Sequence, residues 1–307
     1  MIAPKNLIDI LSYRRPHGSR SEQYCIDKHI DTLPNVKIDD AGNRYVTVGG
    51  APTMAWLSHT DTVHIMGGKQ PLETKRGYVA IKNGMSDCLG GDDGVGVWLM
   101  VELVKRKVPG LYVWHRGEEM GCLGSQAWVT SLEGQGLMAG IKQAVCLDRR
   151  GYQDVICGIN GAMIASDRYA RWLCYALRDQ GMFYAPNPGG LMADVEQWAD
   201  NVPECVNLSV GYHAPHTGAE TVDIVFAQRL LDALSGIRWT EAPITRTPTV
   251  EALDWEWWDR RGVDRSWDSL SRRQSWSQPS FQSRTRVKSA EPAAVTFRSR
   301  RLIHGAK

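Results

Sequence analysis

The chain has 307 residues, 43% of them hydrophobic and 23% charged, with a formal net charge of +2. That balance excludes a wholly disordered, collagenous or membrane-embedded chain and leaves a globular protein with room for a sizeable core. Seven cysteines, odd in number, scattered and without a CxxC pair, exclude a disulfide framework and a cysteine zinc site and lead us to expect a reducing, cytoplasmic setting.

MIAPKNLIDILSYRR lacks the order of a secretory signal, a basic patch followed by a long apolar run, and no window approaches the roughly 18 uncharged apolar residues of a membrane span. Neither secretion nor membrane insertion is expected. Asn6 to Ser12 and Ser21 to Leu33 read as helices, the second opening on a serine at a capping position. VKID, DAGN and RYVTV follow as strand, turn and strand. MAWLS is a short buried strand ending at His59, and GVGVWLMVELVKRK is a helix with basic residues in its last turn. LYVWH and AVCL are the next strands, the second ending at Asp148. Asp167 to Arg178 reads as a helix, VNLSV as a strand and Thr221 to Leu234 as a closing helix. Strands alternating with helices predict an α/β three-layer sandwich with a mostly parallel mixed sheet, whose sites form beyond the carboxyl ends of the strands.

Between Asp259 and Lys307 stand twelve Lys or Arg against four Asp or Glu, so the tail carries +8 and the rest of the chain −6. Its Ser, Arg and Gln richness, without apolar periodicity, predicts disorder. We set a body at residues 1–245 and a tail at 246–307. The DWEWW cluster in the tail suits a partner-binding patch or a segment laid back on the body. No motif for a specific nucleic acid is present, so nonspecific electrostatics is the most that the basic tail implies.

Four strands end in residue types that bind metals: His59 in SHTD, Glu118 and Glu119 in GEEMG, Asp148 in LDRRG, and His213 or His216 in YHAPHT. Asp92 and Asp93, in LGGDDGVG, stand where a loop enters a helix. Adjacent glutamates repel each other, and two zinc ions sharing a bridging carboxylate and a bridging water would remove that repulsion while activating a nucleophile.

Across about residues 35 to 235 these motifs resemble the co-catalytic di-zinc exopeptidases, the family of bacterial leucyl aminopeptidase and of the tripeptidase known as peptidase T. The resemblance implies that His59 binds zinc and that Asp61 orients it. By the same resemblance Asp92 bridges two ions, Glu118 is the general base, Glu119 and Asp148 are ligands, and His216 is the last ligand, with His213 as the alternative. It implies two Zn2+ ions, replaceable by cobalt or manganese, a peptide substrate offering its N-terminal amino acid, and it allows a homo-oligomer. Only 68 positions separate Asp148 from His216, too few for the lid domain many relatives carry there. Where the family often has Thr and a small or acidic residue before the glutamates, this chain has His115 and Arg116.

Plainer readings hold elsewhere. Asp93 reads as a helix cap, His64 and His115 as structural, and Cys88 and Cys122 as buried thiols without a catalytic role. Asp194, after a glycine-rich turn, reads as a contact for the substrate's amino group or as a cap for the helix from Val195. Two rival functions remain: an amidohydrolase of the same fold acting on N-acylated amino acids, and a non-catalytic binding protein.

Overall fold

Alternate residues of the central strands face two separate cores. Trp56, Tyr112, Trp114, Val145 and Leu147 pack on one side, and Ala55, Leu57, Leu111, Val113, Ala144 and Cys146 on the other. A strand buried on both faces reads as an unbroken apolar run, which is why these segments stand out in the sequence.

The structure, a computed structural model, describes residues 4–248. Its main sheet has eight strands: β1 (Lys37–Ile38), β2 (Arg44–Val48), β3 (Met54–His59), β4 (Gly110–His115), β5 (Gln143–Arg149), β6 (Asp154–Ile156), β7 (Ala185–Asn187) and β8 (Glu204–Ser209). They lie in the order β7-β6-β8-β5-β3-β4-β2-β1. The four central strands β8, β5, β3 and β4 are parallel, and antiparallel pairings flank them on both sides. A second, four-stranded antiparallel sheet joins Leu72–Lys75, Tyr78–Ile81, Thr221–Asp223 and Tyr212–His213.

Among the described residues, eight α-helices cover the main sheet: α1 (Lys5–Leu11), α2 (Arg20–His29), α3 (Gly91–Lys105), α4 (Leu123–Thr130), α5 (Leu132–Met138), α6 (Asp167–Asp179), α7 (Asp194–Trp198) and α8 (Ile224–Gly236). The first core takes residues from α1, α2, α3, α6 and α8. The second takes Trp128 of α4, Met138 of α5 and Trp198 of α7. This is the expected three-layer sandwich, without a separate lid between Asp148 and His216.

Helix α3 packs against β3 and β5, the strands that end in His59 and near Asp148. A Cβ on Gly96 would stand 2.3 Å from the Leu147 carbonyl oxygen and 2.4 Å from the Asp93 carboxylate, so only glycine lets the helix start press onto the end of β5. Leu99, Val101 and Leu103 of the same helix are buried, each contributing roughly 1.5–3 kcal/mol relative to exposure.

Two expectations are corrected. Helix α2 is capped by Ser19, whose side chain accepts from the Glu22 N–H, so it opens before Ser21. Thr221–Asp223 is a strand that completes the second sheet, and α8 starts at Ile224 under an Asp223 cap, 2.9 Å from the Phe226 nitrogen. The tail's expected disorder and the DWEWW cluster lie outside the described residues. Just before that limit, Arg246 donates to the carbonyls of Met163, Ala199, Val202 and Pro203. Among the described residues no helix is long and apolar enough to cross a membrane.

Candidate active site

The residues singled out by motif meet at the carboxyl edge of the parallel strands. His59 closes β3, Asp148 stands at the end of β5, Glu118 and Glu119 follow β4, and Asp92 opens α3. His216 comes from the loop joining two strands of the second sheet, at a φ of 62°. The donor atoms of His59, Asp92 and Asp148 lie within 4.8 Å of one another, and so do those of Asp92, Glu119 and His216. Asp92 is common to both groups, with Oδ1 3.2 Å from His59 Nε2 and Oδ2 3.3 Å from His216 Nε2. His59 Nε2 is also 3.6 Å from Asp148 Oδ1, and His216 Nε2 is 3.0 Å from Glu119 Oε1. His213 belongs to neither group; its ring packs 4.4 Å from that of Tyr152.

The surroundings fix these donors by hydrogen bonds to backbone. Buried Asp61 accepts from the N–H groups of Gly117, Glu118 and Glu119, and its Oδ1 is 3.5 Å from His59 Nδ1. One carboxylate therefore sets both the histidine and the glutamate turn. Asp93 accepts from the Gly96 N–H at 2.9 Å, as a helix cap does, and also from the His59 N–H at 3.2 Å. Tyr212 donates its hydroxyl to Asp148 Oδ1.

Two positioning residues escape a reading by motif. Glu220, 1% exposed, accepts from the N–H groups of Leu89, Gly90 and Asp92. Arg15, 1% exposed, donates to the carbonyls of Ile10, Tyr13, Thr60 and Gly90. Between them they grip the Gly90 peptide from both sides and fix the approach to Asp92.

His64 hydrogen-bonds Thr62 and the Cys88 carbonyl, and His115 accepts from the Trp198 indole within an aromatic cluster, so both are structural. Arg116 forms a two-point ion pair with Glu22. Asp194 does not cap α7. It is 1% exposed, accepts from the Ser125 hydroxyl at 2.6 Å, and its other oxygen has no hydrogen-bond partner.

Burial pushes Glu118 up to about 9, with the Asp148 and Asp194 charges adding to it. Burial likewise lifts Asp148 and Asp194 to about 7. Burial opposes ionisation of Asp92 as well, yet hydrogen bonds from His216 and His59 hold it well below the usual carboxylate range. Hydrogen bonds to Asp92 and Glu119 raise His216 to about 10. Among the described residues, the ion pairs of Asp92, Glu119 and Asp148 are all with histidine. A buried cluster of this sign retains protons or takes cations, and its oxygen and imidazole donors suit zinc.

A pH dependence follows for protein stripped of metal by chelation. Folded Glu118 keeps its proton up to about 9, and Asp148 and Asp194 keep theirs up to about 7, whereas unfolded carboxyls release theirs near about pH 4. Over that window the folded state binds more protons, so stability is full below the unfolded values and falls as pH rises through the folded ones. Raised His216 acts in the same sense, its contribution fading towards about 10. The melting temperature of the stripped protein should therefore decline from about pH 5 to about pH 9, and zinc should flatten that decline. Identical profiles with and without zinc would contradict the cluster's coupling to cations.

The site opens into a cleft of about 370 Å³, lined by the acidic groups and by Arg149, Arg150, Ile156, Leu191, Met192 and Pro215 among others. A larger cavity of about 480 Å³ near α1, α3 and α8 holds none of these donors.

No family model matches the sequence, and no curated protein does either. Solved structures match in fold, and the class they define is that of aminopeptidase and tripeptidase structures. Aminopeptidase PepT from Bacillus cereus is 15% identical with a TM-score of 0.61, the match covering 75% of this chain and 95% of that one. A Staphylococcus aureus tripeptidase gives 15% identity and a TM-score of 0.59 over 75% and 95%. The TET1 peptidase of Pyrococcus horikoshii, which can assemble into a tetrahedron or a large octahedral shell, gives 14% and 0.57 over 75% and 97%. At these identities the likeness establishes a shared fold, the one the motifs led us to expect.

Proposed function

We propose that the protein is a zinc-dependent exopeptidase, an aminopeptidase or small-peptide hydrolase. The observation that carries this reading is the pair of donor groups sharing Asp92, with the buried carboxyl of Glu118 beside them. His59, Asp92 and Asp148 would hold one divalent ion, and Asp92, Glu119 and His216 a second. Two ions bound there would polarise a scissile carbonyl and acidify a bridging water. Glu118 takes the proton from the attacking water on its carboxylate oxygen, shielded from solvent, and returns it to the leaving amine. Asp61 keeps Glu118 and Glu119 at fixed distances from His59 by holding all three.

The names of the neighbours support a peptide substrate, and the TET1 assembly is the precedent for a homo-oligomer here. Seven free, buried cysteines support a cytoplasmic setting. The test is purified protein supplied with zinc, cobalt or manganese and offered free and N-acetylated peptides. Release of the N-terminal amino acid from the free peptides is the expected result. Cleavage confined to N-acylated amino acids would replace the exopeptidase by a deacylase, and no cleavage of any amide by a binding protein.

A further inference from the structure

The cleft has two charge poles. Asp92, Glu118, Glu119 and Asp148 form one, and Arg149, the last residue of β5, with Arg150, on the turn that follows, forms the other. That turn is fixed by its backbone. The Arg149 carbonyl accepts from the Val210 N–H at 2.8 Å, the Arg150 carbonyl from the Ser209 hydroxyl at 2.8 Å, and the Gly151 N–H donates to the Tyr212 carbonyl at 2.8 Å. Gly151 takes a φ of +84°, a conformation that suits glycine and allows the tight reversal.

The two arginines differ in what they touch. Arg149 Nε is 3.1 Å from Asp154 Oδ2, and Asn187 holds the other oxygen of that aspartate at 3.0 Å. The Arg150 side chain is exposed and makes no hydrogen bond or ion pair among the described residues. A guanidinium on a fixed turn, free of partners and facing a cleft, offers an incoming carboxylate two parallel N–H donors. The same cleft is lined by apolar side chains, including Leu191 at 74% and Met192 at 54% exposure, which suit the side chains of a bound peptide.

Resting on the peptidase reading, we propose that Arg150 binds the terminal carboxylate of the substrate, so that the enzyme prefers short peptides with a free C-terminus. A short peptide is a zwitterion, with its amino group matched to the acidic pole and its carboxylate to the basic one. A longer chain or an amidated one leaves Arg150 without a partner.

The test compares a free dipeptide and tripeptide with their C-terminal amides, and with an amide carrying glutamate in second position. The proteins are the metal-loaded wild type, Arg150→Ala, Arg150→Lys and Arg150→Glu. Hydrolysis is measured as kcat/KM, and binding by calorimetry in a Glu118→Gln background that does not turn over. The wild type should prefer acid to amide by on the order of tenfold or more in both readouts. That ratio should collapse towards one in Arg150→Ala, survive in part in Arg150→Lys, and invert in Arg150→Glu. If the wild type cleaves acid and amide equally, the assignment fails while the peptidase reading stands. If no peptide is cleaved but an Arg150-dependent binding preference for the acid persists, the peptidase reading fails and the carboxylate site stands. Recovery of the rate by the glutamate-bearing amide would overturn the terminal carboxylate in favour of an acidic side chain.

Discussion

Glu118→Gln should lower kcat by about 10²- to 10⁴-fold while both metal ions stay bound. Glutamine keeps the size of the side chain and removes its capacity to take a proton. The environment singles out this carboxyl: it is 8% exposed, burial lifts it to about 9, and Cys122 and Asp194 lie on its side of the site. Cations bound beside it would draw that carboxyl back to its ionised form, able to take a proton from the attacking water and pass it to the leaving amine. Glu118 also comes within 4.8 Å of His59 and Glu119 donors, so a metal count must accompany the rates. Near-normal turnover would remove Glu118 as the base, and loss of an ion would make it a ligand.

The second large effect belongs to its neighbour and to His216. His216→Ala and Glu119→Gln should each weaken one of two ions by on the order of 10²-fold or more, since losing a supporting residue around a metal already costs about 10- to 100-fold. Both residues meet only in the group that shares Asp92, so the ion held by His59 and Asp148 should remain. Activity of Glu119→Gln should recover in part when zinc is in excess, because site occupancy is what the change damages. Two tightly bound ions in His216→Ala would contradict the assignment and reopen the case for His213, despite its packing on Tyr152.

These paired expectations depend on features of unequal visibility in the sequence. The strands of MAWLS, LYVWH and AVCL were legible because both their faces are buried, and their ends carried the chemical residues with them. The glycines of GGDDGVG were legible as a helix start, although the reason for Gly96, its contact with the Leu147 carbonyl, needed the fold. The second sheet was not legible: its strands are two to four residues long, too short for a period of two to show. Helices α4, α5 and α7 also gave little signal, having eight, seven and five residues, and α5 carries two glycines.

The supporting residues were hidden for a different reason. Glu220 and Arg15 act on backbone groups about Gly90 from 130 and 75 positions away in the chain, and nothing local marks a side chain that satisfies a distant peptide. Asp194 showed its polarity but not its partner, Ser125, which lies 69 positions earlier. Motif spacing revealed the donors, whereas the shell that aims them is a property of the folded chain.

The most direct test of the account is a zinc titration of chelated protein, following release of the N-terminal amino acid from a short free peptide. No turnover is expected without metal, and the rate should rise with added zinc and level off at two equivalents per chain. Turnover that persists in the metal-free protein, or no turnover at any occupancy of the two sites, would contradict it.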